Sequence, residues 1–273
     1  MELKAETKQQ SKELKGRFPF RLGTTSYILP DNLVSNVAYL ANRIDDVELV
    51  LFESHEVSNL PGPAEIEALA ALACDHDLTY TVHLPLDADL GSGDETIRRR
   101  SVEKCRKVIH LTQSLNPFAY VLHLHGRRNG RNPADHINAW RTALGQSIEQ
   151  LLCDGPAPET VCVETLAYPY DLVWDLVQYH SLSVCLDVGH ILLSGYDIDA
   201  YLETYLSCCR VLHLHGIREG IDHCDIGGLE NHTLKLILSR LCTTATETKR
   251  VLTLEVFNQG DLERSLNILR GLV

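Results

Sequence analysis

Eight short apolar runs alternate with eight helix-like stretches along residues 18–273, and this strict alternation constrains the fold more than any other feature of the chain. The runs cover 18–28, 47–53, 78–84, 119–125, 160–165, 183–188, 210–215 and 250–257. The stretches that follow them cover 30–44, the segment from Pro61-Gly62-Pro63 to 77, then 94–114, 133–152, 170–180, 198–207, 229–241 and 261–273. Near-continuous apolar runs such as Val47–Glu53 read as strands buried on both faces, as in a parallel sheet. Parallel strands joined by helices cross over right-handed, and eight such units in about 250 residues match a closed (β/α)8 barrel. A doubly wound open sheet is the alternative. The first strand–helix turn, Thr24-Thr25-Ser26-Tyr27, lacks the glycine fingerprint of a dinucleotide-binding unit.

The chain is long enough for one large core, and no break in composition divides it, so 18–273 reads as one catalytic barrel domain. Residues 1–17 are polar, carry no apolar signal core, and read as a flexible N-terminal tail on a cytoplasmic protein. No stretch reaches the ~20 apolar residues of a membrane span. Nine cysteines without a CxxC pair fit a reducing compartment. A formal net charge of −12 argues against nucleic acid as partner, because such affinity comes largely from Lys and Arg neutralising phosphates. A small-molecule substrate is expected instead.

Barrel enzymes keep their chemistry at the carboxyl ends of the strands. Polar residues interrupt the apolar runs there: Glu53, His83, His123 with His125, Glu164, Asp187 with His190, His213 with His215, and Glu255. The sequence Val-Leu-His-Leu-His-Gly occurs twice, at 121–126 and 211–216, on the fourth and seventh runs. Period-two alternation puts both histidines of each copy on one strand face. Converging acids and imidazoles in one barrel mouth is costly without a compensating cation, and this donor mixture suits Zn, Mn or Fe(II).

Glu164, Asp187, His213 or His215, and Glu255, at the ends of the fifth to eighth runs, resemble the Glu-Asp-His-Glu metal set of xylose isomerase-like TIM barrels. That superfamily includes sugar isomerases, epimerases and endonuclease IV. Asp187-Val188-Gly189-His190 is similar to its Asp-x-x-His. His83 and His123 match the extra metal histidines of the endonuclease-like branch, and His223 resembles the histidine of that branch's Asp-x-His motif. Ile221 stands where the motif has its Asp, and Asp222 is displaced by one. FRLGTTSY (20–27), DVELVLFE (46–53), Asn59-Leu60-Pro61 and YTVHLPLD (80–87) resemble the cobamide-remodelling phosphodiesterases of the superfamily.

The resemblance implies a metal-dependent hydrolase that cuts the nucleotide loop of cobamides such as cobalamin, with one to three divalent ions. The implied ligands are His83, His123, Glu164, Asp187, His190, His213, His223 and Glu255, with His123 and His213 taken from their pairs. Glu164, Glu255 and His190 are then the candidates for orienting water and moving protons. His125, His215, Arg127, Arg128 and Arg218 are candidate phosphate contacts. Tyr27, Tyr168 and Tyr170 could cover a wide corrinoid, or simply pack, and His55 could ligate its cobalt. A sugar isomerase or epimerase, using Glu164 and Glu255 on opposite sides of a ketose, is the competing reading. A corrinoid-binding module without turnover is the third.

Overall fold

The computed structural model describes residues 14–53, 57–128, 130–244 and 249–272. Eight parallel strands close into a barrel in the order β1 (Arg21–Thr25), β2 (Asp46–Val50), β3 (Thr79–His83), β4 (Ala119–Leu122), β5 (Val161–Glu164), β6 (Ser183–Asp187), β7 (Cys209–Leu214) and β10 (Val251–Leu254), which returns to β1. The surrounding helices are α1 (Leu33–Leu40), α2 (Pro63–His76), α3 (Glu95–Thr112), α4 (Ile137–Leu152), α5 (Asp171–Tyr179), α7 (Ile198–Tyr205), α8 (Asn231–Thr244) and α9 (Gln259–Arg270). The expected alternation is therefore present. Two elements are additional: a short helix α6 (Val188–Leu193) directly on the end of β6, and an antiparallel hairpin, β8 (Gly216–Arg218) with β9 (Ile221–Cys224).

The amphipathic helices cover the barrel by burying one stripe each. On α3 the buried residues are Ser101, Val102, Cys105, Val108, Ile109 and Thr112, the 3–4 spacing of one helical face. These join Leu22, Leu49, Val82 and Leu252 from the outward faces of the strands in the main core. The inward faces are different in kind. Ala119, Val121, Cys162, Cys185 and Val211 form a second, small apolar cluster inside the barrel. Polar side chains lie in the same interior: Asp46 and Glu48 of β2 and Thr81 of β3 are fully buried.

The paired parts of the strands are shorter than the apolar runs, because the runs continue past the last ladder bond into the mouth. Thus β4 ends at Leu122, leaving His123 to His125 beyond the sheet. The expected tail also needs correction at its inner end: Leu14 is buried, Lys15 Nζ donates to the carbonyls of Ala41 (2.7 Å) and His76 (2.5 Å), and Gly16 N–H to Asp45 (2.8 Å). Packing thus begins by residue 14. Among the described residues no helix is long and apolar enough to cross a membrane.

Asp46 sits at the closed end of the barrel, and burial pushes its carboxyl up to about 7 despite a 2.6 Å hydrogen bond from Thr79. An acid whose folded-state value lies above its unfolded value contributes stability that is complete at low pH and lost as pH rises through the folded value. Asp46→Asn should therefore flatten the decline in unfolding free energy between about pH 4 and 7, by an amount on the order of 4 kcal/mol. Urea melts of the two proteins across that range check this, and an unchanged pH dependence in the variant would contradict it.

Candidate metal centre

Glu164, the last residue of β5, is the hub of the mouth. Its side chain is 1% exposed, and four imidazoles surround it: His123 Nε2 at 2.9 Å, His190 Nδ1 at 3.2 Å, His83 Nε2 at 3.5 Å and His213 Nδ1 at 3.6 Å. The 2.9 Å contact is not an aligned hydrogen bond. Both carboxylate oxygens of Glu164, Nε2 of His123, Nδ1 of His213 and Oε2 of Glu255 are buried without a hydrogen-bond partner. Such orphans are costly unless a shared partner serves them. Four of the implied ligand residues thus converge with unserved polar atoms.

The rings are also held in a consistent way. His83 Nδ1 donates to the carbonyl of Leu84 (2.9 Å), His190 Nδ1 to that of Thr165 (3.2 Å), and His223 Nδ1 to that of Glu255 (3.3 Å). His213 donates through Nε2 to Glu48 (2.8 Å), leaving Nδ1 toward Glu255 (3.2 Å), Glu164 (3.6 Å) and Asp187 (3.7 Å). A ring that spends one N–H on a protein acceptor keeps a lone pair on the other nitrogen, the arrangement found when histidine ligates a metal. The residues therefore fit divalent cations. Groups with donor atoms mutually within 4.8 Å include His83–His123–Glu164 and Glu164–Asp187–His190.

The electrostatics agree. Burial alone would raise Glu164 and Asp187, yet both are held well below the carboxylate range, Glu164 by His123 and His213, Asp187 by His190 and His215. Burial alone would lower His83 and His190, but facing carboxylates hold them up to about 9 and about 10: Glu164 with Glu48 for His83, Asp187 with Glu164 for His190. Protons are thus retained on the rings whenever no other cation neutralises the acids.

The two histidine pairs differ. His123 faces Glu164, while His125 lies behind it, Nε2 to His123 Nδ1 at 3.0 Å, with its ring pushed down to about 4 by burial and by His123. In the second pair, His215 does not stand free at the mouth as a phosphate contact. It is fully buried; Nδ1 accepts the backbone N–H of His223 (2.9 Å), so the ring proton is on Nε2, which faces both oxygens of Asp187 at 3.2 Å. His215 therefore supports Asp187. The β8–β9 hairpin is what brings His223 here, with its backbone at φ 53°.

Gly189 leaves room for that ring. A Cβ at this position would lie 1.9 Å from Cε1 of His215 and 2.5 Å from both of its nitrogens. Gly189→Ala should displace the ring, cost about 1–3 kcal/mol of stability by overpacking, and weaken metal binding through Asp187. Wild-type metal affinity in this variant would contradict the assignment.

The remaining expectations divide. Glu53 is not in the mouth: β2 ends at Val50, and Glu53 accepts from Lys107 at 2.6 and 2.8 Å on the outside. Its place among the acids is taken by Glu48, five residues earlier, a lone charge inside the run Val47-Glu48-Leu49-Val50. The inward face of the alternating pattern identifies it, but attention to strand ends passes over it. Arg128 pairs with Asp135 (2.5 Å) and lines a cavity of about 380 Å³ with Leu86, His125, Leu166, Tyr168 and His190. Arg127 lines a neighbouring recess with Asp135 and Trp140. Arg218 is held by both oxygens of Asp225 (2.7 and 2.8 Å), which ties the hairpin down rather than freeing the guanidinium for substrate. Tyr168 and Tyr170 are packing residues, their hydroxyls bonded to the carbonyls of Leu124 and Val163, while Tyr27 is exposed. His55 lies outside the described residues.

Comparison with known proteins fits this geometry. The family profile described as "Xylose isomerase-like TIM barrel" matches residues 40–270, most of the chain. The chain belongs to the xylose isomerase-like TIM barrel family. Solved structures similar to this xylose isomerase-like barrel include a D-tagatose 3-epimerase-like protein (TM-score 0.72, 20% identity, 92% of this chain and 96% of that one). Endonuclease IV from Thermus thermophilus is also similar (0.69, 20%, 92% and 98%), as is the probable 3-DHS dehydratase AsbF from Bacillus anthracis (0.68, 14%, 92% and 98%). At these identities the likeness establishes the fold alone. No curated protein sequence gives a significant match.

Proposed function

We propose that this xylose isomerase-like barrel is a metal-dependent hydrolase that cleaves the nucleotide loop of a cobamide. The observation that carries the hydrolytic reading is the surplus of imidazoles. A Glu-Asp-His-Glu set, here Glu164, Asp187, His213 and Glu255, suffices for the single ion of an isomerase. His83 and His123 extend it on one side of Glu164, and His190 and His223 on the other. Bound divalent ions would supply charge neutralisation for a phosphoryl group and a water of lowered pKa. The Glu-Asp-His-Glu set and these four added histidines would hold them.

The chain's own groups then do the remaining work. Glu255, 6% exposed, is placed to orient water and accept its proton through the carboxylate oxygen that does not face His213. His190 is partly exposed at the rim of the 380 Å³ cavity, so the ion it would help to hold faces the space where substrate enters. The cavity's Leu86, Leu166 and Tyr168 give it an apolar wall, which suits the lower base better than the whole corrinoid. The cobamide assignment itself rests on the sequence resemblance of residues 20–87.

A sugar epimerase is the second reading, favoured by Ile221 in the Asp position of the Asp-x-His motif, with Asp222 displaced by one residue and 3.9 Å from His223 Nε2. Glu164 and Glu255 flank His213 at 3.6 and 3.2 Å and would act on opposite sides of a ketose. Metal-loaded protein should convert cobalamin to a corrinoid lacking its base-riboside, read by mass spectrometry. Intact cobalamin together with interconversion of a ketohexose would replace the first reading with the second.

A further inference from the structure

Glu48 is a buried acid to which neither the implied ligand set nor the proposed chemistry gives a role. It sits in the middle of β2, in register with Thr25 of β1 and Thr81 of β3, and its side chain is 0% exposed. A lone carboxylate inside a barrel costs several kcal/mol unless a partner compensates it. Its partner is His213, Nε2 to Oε2 at 2.8 Å, across the barrel from β7.

We infer that Glu48 is the positioning residue of the metal centre, holding His213 by Nε2 so that Nδ1 is the atom offered to the ion. The inference rests on the metalloenzyme reading above. An imidazole on a strand can rotate about its side-chain bonds and present either nitrogen. With Nε2–H spent on Glu48, the proton-free nitrogen is Nδ1, which lies between Glu255, Glu164 and Asp187 at 3.2, 3.6 and 3.7 Å. A lone pair facing three carboxylates is repelled by them unless a cation stands between. Glu48 thus holds the ring in a geometry that is favourable only with a metal ion in place or a proton on Nδ1. Its charge also raises the basicity of Nδ1, as carboxylates behind ligating histidines do. The rings of His83, His190 and His223 use carbonyls for this purpose, and His123 uses His125. Of these five rings, His213 has the carboxylate behind it.

Glu48 also lies near His83 and Glu255, close enough to be considered a ligand itself. The test separates the two roles. Zn²⁺ affinity by chelator competition, metal stoichiometry by mass spectrometry and the visible spectrum of the Co²⁺-substituted protein would be measured for wild type, Glu48→Gln and Glu48→Leu. Glu48→Gln keeps a hydrogen-bond acceptor but loses the charge. It should bind the wild-type number of ions with about 10- to 100-fold weaker affinity and a shifted but still intense Co²⁺ band. Glu48→Leu should be weaker again, because the ring is released. Wild-type affinity in both variants would overturn the inference, and so would loss of a whole equivalent of metal from Glu48→Gln, which would make Glu48 a ligand. Failure of the wild-type protein to bind Zn²⁺ or Co²⁺ at all would overturn the metalloenzyme reading and this inference with it. That result is read from the wild type alone.

Discussion

Glu164→Gln is expected to lower kcat/KM by at least about 10³-fold, equivalent to ~4 kcal/mol of transition-state stabilisation, and to lower bound metal below the wild-type count. The substitution keeps shape and volume, so the barrel should still fold. What disappears is the charge that four imidazoles share, at 2.9 to 3.6 Å. Without it the amide presents one neutral oxygen and an NH₂ group that repels both a cation and a protonated ring. Steady-state kinetics, metal analysis and circular dichroism on the same preparation check this. A folded variant with full metal content and more than a tenth of wild-type activity would remove Glu164 from the centre.

Stripping the metal should have the second-largest effect, and one that depends on pH. An ion held at about 1,000 times its Kd stabilises the folded state by ~4 kcal/mol, so chelation should lower Tm by roughly 10 °C in a domain of this size. The pH dependence follows from His83 and His190, which retain protons up to about 9 and about 10 in the metal-free protein. Groups raised above their unfolded value contribute stability that is complete below about 6.5 and lost as pH rises through the folded values. The metal-free protein should therefore weaken as pH rises from neutrality through those values, while the loaded protein does not, and the gap in Tm should widen with pH. Metal must displace these protons, so its affinity should fall about tenfold per unit drop in pH for each proton released. Calorimetric titrations in two buffers of different ionisation enthalpy would count them. Zero released protons at neutral pH would contradict the assignment of His83 and His190 as ligands.

How much of the centre the sequence discloses is clearest in particular residues. His83, Glu164, Asp187, His213 and Glu255 are legible because each lies at or beside the end of a strand whose other residues are mostly apolar, and a barrel gathers strand ends at one mouth. His190 is legible only through its spacing from Asp187. The reason for that spacing is local and structural: Asp187 caps α6 by accepting the backbone N–H of His190 at 2.6 Å, which turns the ring back over the mouth. His223 belongs to no barrel strand, and its place depends on a hairpin whose short, irregular sequence has little periodicity to read. Glu53 is the natural acid for the second strand, but a run of apolar residues does not disclose where the ladder stops. The ladder stops at Val50, and the acid that counts is Glu48.

The sequence by itself determined the alternation, and with it a closed parallel barrel, because period and polarity are local properties that each segment carries independently. It also determined which residue types meet at the mouth. Only the tertiary structure decided the chemistry of each ring: which nitrogen of His213 is spent on Glu48, that His215 braces Asp187 instead of meeting substrate, and that His125 stands behind His123. These depend on partners 2 to 165 residues away in the chain. A hydrogen bond between facing strands is set by barrel closure and register, and no property of either segment alone contains it.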